Sequence, residues 1–159
     1  MSSELRVDKI IPTAGVPTGG GGGIIQVKQF TTTNTANGGF LMSTSSSSFT
    51  ATPLLLAITP KFSTSKILIN VNTSSYNPGS GHTAYTIYRD STNIGGSTYG
   101  IADFTGSHNW RPFSMMFLDS PSTTSQVTYT LKLRSTNGAT VQTNSNGSRG
   151  TITLMEIAG

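Results

Sequence analysis

The sequence contains no cysteine and few charged residues. Without Cys there can be no disulfide framework and no thiolate metal site, so the fold must be held by packing or by association with other chains. Only 10% of the residues are charged, against roughly 25% in a typical soluble domain. In their place, 48 of the 159 residues are Ser or Thr. We therefore expect a surface that is nearly neutral and rich in hydroxyl groups.

Long apolar runs are absent as well. No stretch approaches the roughly 18 to 20 apolar residues of a membrane-spanning helix. Charged residues at Glu4, Arg6, Asp8 and Lys9 stand where a signal peptide needs an apolar core. We expect a soluble, unprocessed protein that does not insert into a membrane.

The net charge of +4 suggests nucleic acid as a partner, but the basic residues do not cluster. No two of them are adjacent, and the closest pair is Lys132 with Arg134. Affinity for phosphate depends on how many charges converge on the backbone. We therefore expect no nucleic-acid partner.

Residues 1–23 differ in composition from the rest of the chain. They include a strip of four large aliphatic residues over positions 5–11, two prolines and a run of five glycines: Leu5, Val7, Ile10, Ile11, Pro12, Pro17, Gly19, Gly20, Gly21, Gly22 and Gly23. Proline disfavours a helix, and consecutive glycines form a flexible joint. A disordered tail is one interpretation, but it does not explain the large aliphatic residues. The pattern favours an extended docking arm with a Gly-rich hinge over residues 1–23, followed by a domain over residues 24–159.

From residue 24 onward, segments rich in β-branched and aromatic residues alternate with Gly, Asn, Ser and Pro clusters. The predicted strands are Ile24–Thr31, Phe49–Thr59, Lys66–Thr73, Thr83–Arg89, Trp110–Asp119, Gln126–Ser135, Ala139–Thr143 and Thr151–Ala158. Seven or eight short strands in this length predict an all-β, jelly-roll-type β-sandwich, with an up-and-down barrel as the alternative.

Two patterns within these strands are informative. Apolar and polar residues alternate over 126–135, which predicts one buried and one wet face. Leu68 falls on the otherwise polar side of its strand, which suggests a partner on that side.

The pairs Asn137-Gly138 and Asn146-Gly147 are strong hairpin signals, so the last three strands are predicted to form a meander.

Little in the sequence points to catalysis, and we expect no enzyme, cofactor or metal. There are six carboxylates, two His and no Cys. Asp119 begins the segment DSPSTTS, where an Asx turn accounts for it, and the face of Glu156 is left open. His82 and His108 lie in loops without the fixed spacing of metal ligands.

Aromatic and polar residues in the loops form a candidate surface for glycan or receptor contact. They are Tyr76, His82, Tyr99, His108, Asn109 and Trp110. Aromatic rings beside Asn, Gly and Ser can stack on sugars and bond their hydroxyl groups. The alternative is that these rings only cover strand ends.

Two sets of segments carry a resemblance to a known family. The opening LRVDKIIPTAGVPTGGGGGIIQV resembles an N-terminal motif of structural proteins of marine tailed phages, especially cyanophages, where it precedes differing C-terminal modules. The body is similar to the β-domain that often follows it, in ITPKFSTSKILI, YTIYRDSTNIG, FLDSPSTTSQVTYTLKLRS and TITLMEIAG. Together these segments span almost the whole chain.

The resemblance implies a non-enzymatic virion structural protein, a tail-fibre-like or other surface appendage, assembled in the host cytoplasm. It implies a homotrimer whose arm docks on other virion proteins while its loops attach to the host surface. The runner-up is a capsid decoration protein that stabilises the head lattice. A free carbohydrate-binding module remains a further alternative.

Overall fold

A computed structural model describes residues 23–32, 42–77, 79, 81–106, 109–144 and 148–159. In these residues the chain forms strands and no helix. The strands are β1 (Ile24–Thr31), β2 (Met42–Thr44), β3 (Thr50–Ile58), β4 (Lys66–Tyr76), β5 (His82–Arg89), β6 (Thr92–Asn93), β7 (Ala102–Thr105), β8 (Trp110–Asp119), β9 (Val127–Ser135), β10 (Val141–Thr143) and β11 (Thr151–Ile157).

The strands form two antiparallel sheets. In the first sheet the order is β1-β11-β4-β8, and β10 continues along the same edge of β4 beyond the end of β11, with β2 beside it. In the second sheet the order is β3-β9-β5, and the short strands β6 and β7 both pair with β5.

The order of the principal strands is that of a jelly roll. Counting β1, β3, β4, β5, β7, β8, β9 and β11 as strands one to eight, the first sheet reads 1-8-3-6 and the second reads 2-7-4-5. Most consecutive principal strands lie in different sheets, so the up-and-down barrel is wrong and the all-β sandwich is confirmed.

The core lies between the sheets because the strands alternate as the sequence predicted. Val127, Tyr129, Leu131 and Leu133 of β9 are buried, while Lys132 and its polar neighbours face outward. Ile67, Ile69 and Val71 of β4, with Leu154 of β11, cover this layer from the first sheet. Leu68 lies on the outer face of β4, as its position in the sequence indicated.

The predicted C-terminal meander is wrong. β9 pairs with β3 and β5 in the second sheet, whereas β10 and β11 each pair with β4 in the first. Gly138 does adopt a positive φ of 79° as an Asn-Gly turn requires, but this turn carries the chain from one sheet to the other. A turn signal specifies a reversal and not the strand that is paired afterwards. Asn146-Gly147 lies outside the described residues.

Most predicted strands are present within a few residues of their predicted bounds, and β1 and β8 match in full. Three short strands, β2, β6 and β7, were missed. They have only two to four residues each, too few to show an alternation.

The strand register defines two opposite ends of the sandwich. At one end Ile24 pairs with Ile157, which pairs with Lys66 at the start of β4. We call this the arm end, because Gly23 connects to the preceding residues there. At the other end of β4, Tyr76 pairs with Trp110, and we call this the aromatic end. The 11 residues of β4 separate the two ends by roughly 35 Å.

Candidate surface-attachment site

The described candidate contact residues gather at the aromatic end, where they form two ring pairs. Tyr76 and Trp110 are cross-strand neighbours on the outer face of the first sheet, and their ring centroids lie 5.2 Å apart. The two strands fix this pair, because directly opposite residues of an antiparallel ladder hold their side chains within contact distance.

The second pair lies on the outer face of the second sheet. The rings of His82 and Tyr99 are 5.0 Å apart, and Nδ1 of His82 lies 2.6 Å from a carboxylate oxygen of Asp103 on the neighbouring strand β7. Tyr99 is 49% exposed. The two pairs therefore flank one end of the sandwich from its two sheets.

The connections between the pairs are tightly held. Asn77 donates its side-chain amide to the carbonyl of Gly81 and accepts a bond from the N–H of Gly79. Gly106 donates its N–H to the carbonyl of Gly81 at 3.3 Å. Asn109 follows this segment and is exposed. The sixth candidate residue, His108, lies outside the described residues.

An aromatic cluster between the sheets supports this end from inside. Tyr85 is fully buried, with its ring centroid 4.6 Å from that of Phe113 and 5.9 Å from that of Phe104. Burial raises the pKa of the Tyr85 hydroxyl to about 12. This ring thus stays neutral in the physiological range and serves packing.

A cavity of about 400 Å³ opens next to the Tyr76–Trp110 pair. It is lined by Asn72, Thr73, Ser74, Pro112, Phe113, Ser114, Asn144, Ser148 and Arg149. The register places Ser74 beside Pro112, one step along the same face from Tyr76 and Trp110, and Asn72 beside Ser114, two steps from them. The ring pair is therefore adjacent to the Ser74–Pro112 side of the cavity, although neither ring lines it.

The sequence analysis missed this cavity lining. Asn72, Pro112 and Arg149 are far apart in the chain. They come together only because β4 pairs with β8 on one side and with β11, which begins just after Arg149, on the other. The alternation in β4 did place Asn72 on the polar side, which was the only available signal.

The chemistry of this surface suits a polar ligand with apolar faces, such as a sugar. Pro112 in the lining and Trp110 on the adjacent cross-strand pair offer flat apolar surface, while Asn72, Ser114 and Arg149 offer hydrogen-bonding groups. None of the described residues that line the cavity is a carboxylate. Convergent polar groups beside an aromatic ring are the usual composition of a small-ligand site.

The predicted docking residues of the arm, Leu5 to Pro17, lie outside the described residues, as do Gly19 to Gly22 of the hinge. Gly23 is described and exposed, and its carbonyl accepts a 2.9 Å bond from the N–H of Ala158. The division of the chain at residue 23 stays a prediction.

Asp119 has a role that differs from the expected Asx turn. It is buried at the end of β8 and accepts two hydrogen bonds from Nη1 of Arg89, at 2.9 and 2.8 Å, and one of 2.7 Å from the hydroxyl of Tyr129. Burial and this carboxylate together raise the pKa of Tyr129 above its ordinary range. The Asx-turn prediction is wrong because the side chain points between the sheets and ties them together.

Glu156, whose face the sequence left open, also points inward. It is fully buried and accepts bonds from Nε2 of Gln26 at 2.5 Å and from the N–H of Lys61 at 2.7 Å. Burial alone raises the pKa of this carboxyl, but hydrogen bonds from Gln26 and from the N–H groups of Lys61 and Phe62 outweigh it, so the pKa is lowered. Glu156 thus anchors the segment before β4 as a buried carboxylate.

Among the described residues, no three His, Asp or Glu side chains come close enough to hold a metal ion. In the same part of the chain, no helix is long and apolar enough to cross a membrane. The sequence matches no protein-family model and no curated protein.

Proposed function

We propose that this chain is a non-enzymatic structural protein of a tailed-phage particle, a surface or tail appendage that contacts the host surface through its aromatic end. The resemblance of the arm and body to phage structural proteins supplies the class of protein. The observation that carries the attachment role is that the chain enters β1 at one end of the sandwich while the described aromatic residues lie at the opposite end.

This arrangement is what an appendage needs. The chain enters β1 at the end of the sandwich where β4 begins, so the junction with the arm is separated from Tyr76 and Trp110 by roughly 35 Å. The attachment surface therefore lies at the end opposite this junction.

Host-surface glycan is the proposed ligand of the aromatic end. A shallow cavity beside one ring pair gives weak contacts, and several copies on one particle convert weak contacts into avidity. A homotrimer, with other virion proteins bound through the arm, supplies these copies.

Substituting Trp110 tests the attachment role. We expect particles carrying Trp110→Ala to adsorb to host cells roughly tenfold less well, because central aromatic anchors dominate such contacts. Phe62→Ala is the matched control, since Phe62 is an exposed aromatic residue in the segment leading to the arm end of β4. Equal adsorption by both variants and the wild type would refute the attachment role.

Deleting residues 1–23 tests the anchor. We expect the truncated chain to fold but to be absent from purified particles, as measured by immunoblotting. Unchanged incorporation would refute docking through the arm.

A capsid decoration protein is the alternative, and one observation favours it. The outer face of the first sheet exposes large apolar residues such as Met116 and Leu118, as a protein packed between lattice subunits would. Imaging of particles decides, because a decoration protein would occupy lattice axes of the head.

A further inference from the structure

A row of apolar side chains crosses the outer face of the first sheet near the arm end. Leu118 of β8 pairs with Leu68 of β4, Leu68 pairs with Met155 of β11, and Met155 pairs with Val27 of β1. Directly opposite residues in antiparallel strands share a face. Four strands therefore contribute one continuous apolar row.

Two further residues extend this row. Met116 lies next to Leu118 on the same side of β8, and Ile24 lies toward the arm end of β1. We call Ile24, Val27, Leu68, Met116, Leu118 and Met155 the apolar face. Four of them are about half exposed or more: Met116 63%, Ile24 61%, Val27 55% and Leu118 48%. Contiguous apolar surface of this kind marks an interaction site.

The polar surroundings of the apolar face favour a partner with the same surface. The next row along the sheet begins with Met116 and continues with Asn70, Thr153 and Gln29, whose amide and hydroxyl groups both donate and accept hydrogen bonds. The only charged residue on the outer side of β4 is Lys66, at the corner of the face. Two such faces can pack together without burying charges of the same sign against each other. A strongly charged partner would meet no groups of opposite charge on this face.

The size of the face sets the strength of this contact. Four strands about 4.8 Å apart, over the length from Lys66 to Asn70 at about 3.3 Å per residue, cover roughly 320 Å². A standard interface buries roughly 800 Å² per partner. The face accounts for less than half of that, which fits a weak, reversible pair that multiple copies in one assembly reinforce.

We infer that the apolar face is the surface on which a second copy of this chain packs. The inference rests on the proposed function, in which many copies act together, and it names one surface through which copies join in pairs, a contact separate from the three-fold contacts of a trimer. Row meets row across the interface, burying Leu68 and its neighbours, while the Asn and Thr row forms the polar rim.

Sedimentation equilibrium of the full chain over a range of concentrations tests this inference. We expect a reversible oligomer for the wild type and a dissociation constant at least about tenfold higher for Leu118→Thr and for Val27→Thr. Both side chains point outward, so the variants should keep the wild-type circular dichroism and melting temperature. Leu55→Thr is the matched control, because Leu55 is 47% exposed on the outer face of the second sheet.

Three results would overturn the inference. The first is a wild type that stays monomeric at every concentration; if it then associates after deletion of residues 1–22, this chain's own N-terminal segment is the occupant of the face. The second is an oligomer that neither face variant weakens, and the third is equal weakening by Leu55→Thr. Failure of the proposed function is measured separately, by host adsorption and particle incorporation.

Discussion

At the scale of single residues, one ion pair helps to hold the two sheets together. Asp119 on β8 meets Arg89 on β5 and Tyr129 on β9, so one carboxylate of the first sheet is bound by two strands of the second. Its side chain is only 10% exposed. Water cannot replace these partners, and the cost of breaking the contact is therefore high.

Asp119→Asn is expected to lower the free energy of unfolding by about 3 kcal/mol, because it leaves the guanidinium of Arg89 without its charge partner in a largely buried place. Urea denaturation measures the change. Asp103→Asn is the control, since the Asp103–His82 pair is about one-third exposed and such pairs contribute about 0–1 kcal/mol. Equal effects of the two substitutions would contradict the inter-sheet role.

The free energy of unfolding is expected to depend on pH through the ionisation of Glu156. Its pKa is lowered in the folded state, so the stabilisation it provides is complete above its ordinary pKa of 4.5 and is lost as the pH falls toward the folded value. Glu156→Gln removes this contribution at every pH.

The difference in unfolding free energy between wild type and Glu156→Gln should therefore be largest at neutral pH and shrink below pH 4.5. Urea denaturation over a pH series measures this difference. A constant difference over that series would contradict the lowered pKa.

At the scale of elements, alternation predicts a strand well, while a loop depends on contacts that no local pattern contains. Gly138 and Gly100 both have positive φ, 79° and 66°. A Cβ added at Gly138 meets nothing, but one at Gly100 would lie 2.0 Å from the carbonyl oxygen of Tyr85. Only the second glycine is needed for a close approach between the loop and β5.

Gly138→Ala should cost about 1 kcal/mol through its backbone conformation alone. Gly100→Ala should cost clearly more, because it must also push the segment before β7 away from β5. Thermal unfolding of both variants measures the difference. Equal costs would show that the close approach contributes nothing to stability.

At the scale of the whole molecule, the first and last strands complete the fold together. β1 pairs with β11 along its length, and Gln26 of β1 reaches both Glu156 and the carbonyl of Thr59. The N-terminal strand is therefore part of the sandwich, although the arm directly before it is predicted to bind other proteins.

Truncation is expected to separate these two roles. Deleting residues 1–23 should leave the domain folded, whereas deleting residues 1–31 should lower the melting temperature by roughly 10 °C or more, since it removes a strand and the amide partner of Glu156. Differential scanning calorimetry measures both. Identical melting temperatures would contradict a structural role for β1.

Part of the candidate site could be predicted from the sequence. The aromatic residues were identified by type and loop position, and five of the six are described at one end of the sandwich. Their division into two pairs, and the cavity with Asn72 and Arg149, depend on strands that meet only in the folded protein. The outward position of Leu68 was also visible, but its neighbours Leu118 and Met155 were not.

The sequence by itself determined the all-β class, most of the strands and the buried side of β9, because side-chain alternation is a local property of an extended chain. Tertiary structure alone decided that β9 and β10 lie in different sheets, that Asp119 joins the sheets, and that Glu156 points inward. The reason is physical: partners far apart in the chain are selected by the packing of two sheets on one core, and a turn or a single strand carries no information about which distant strand it will meet.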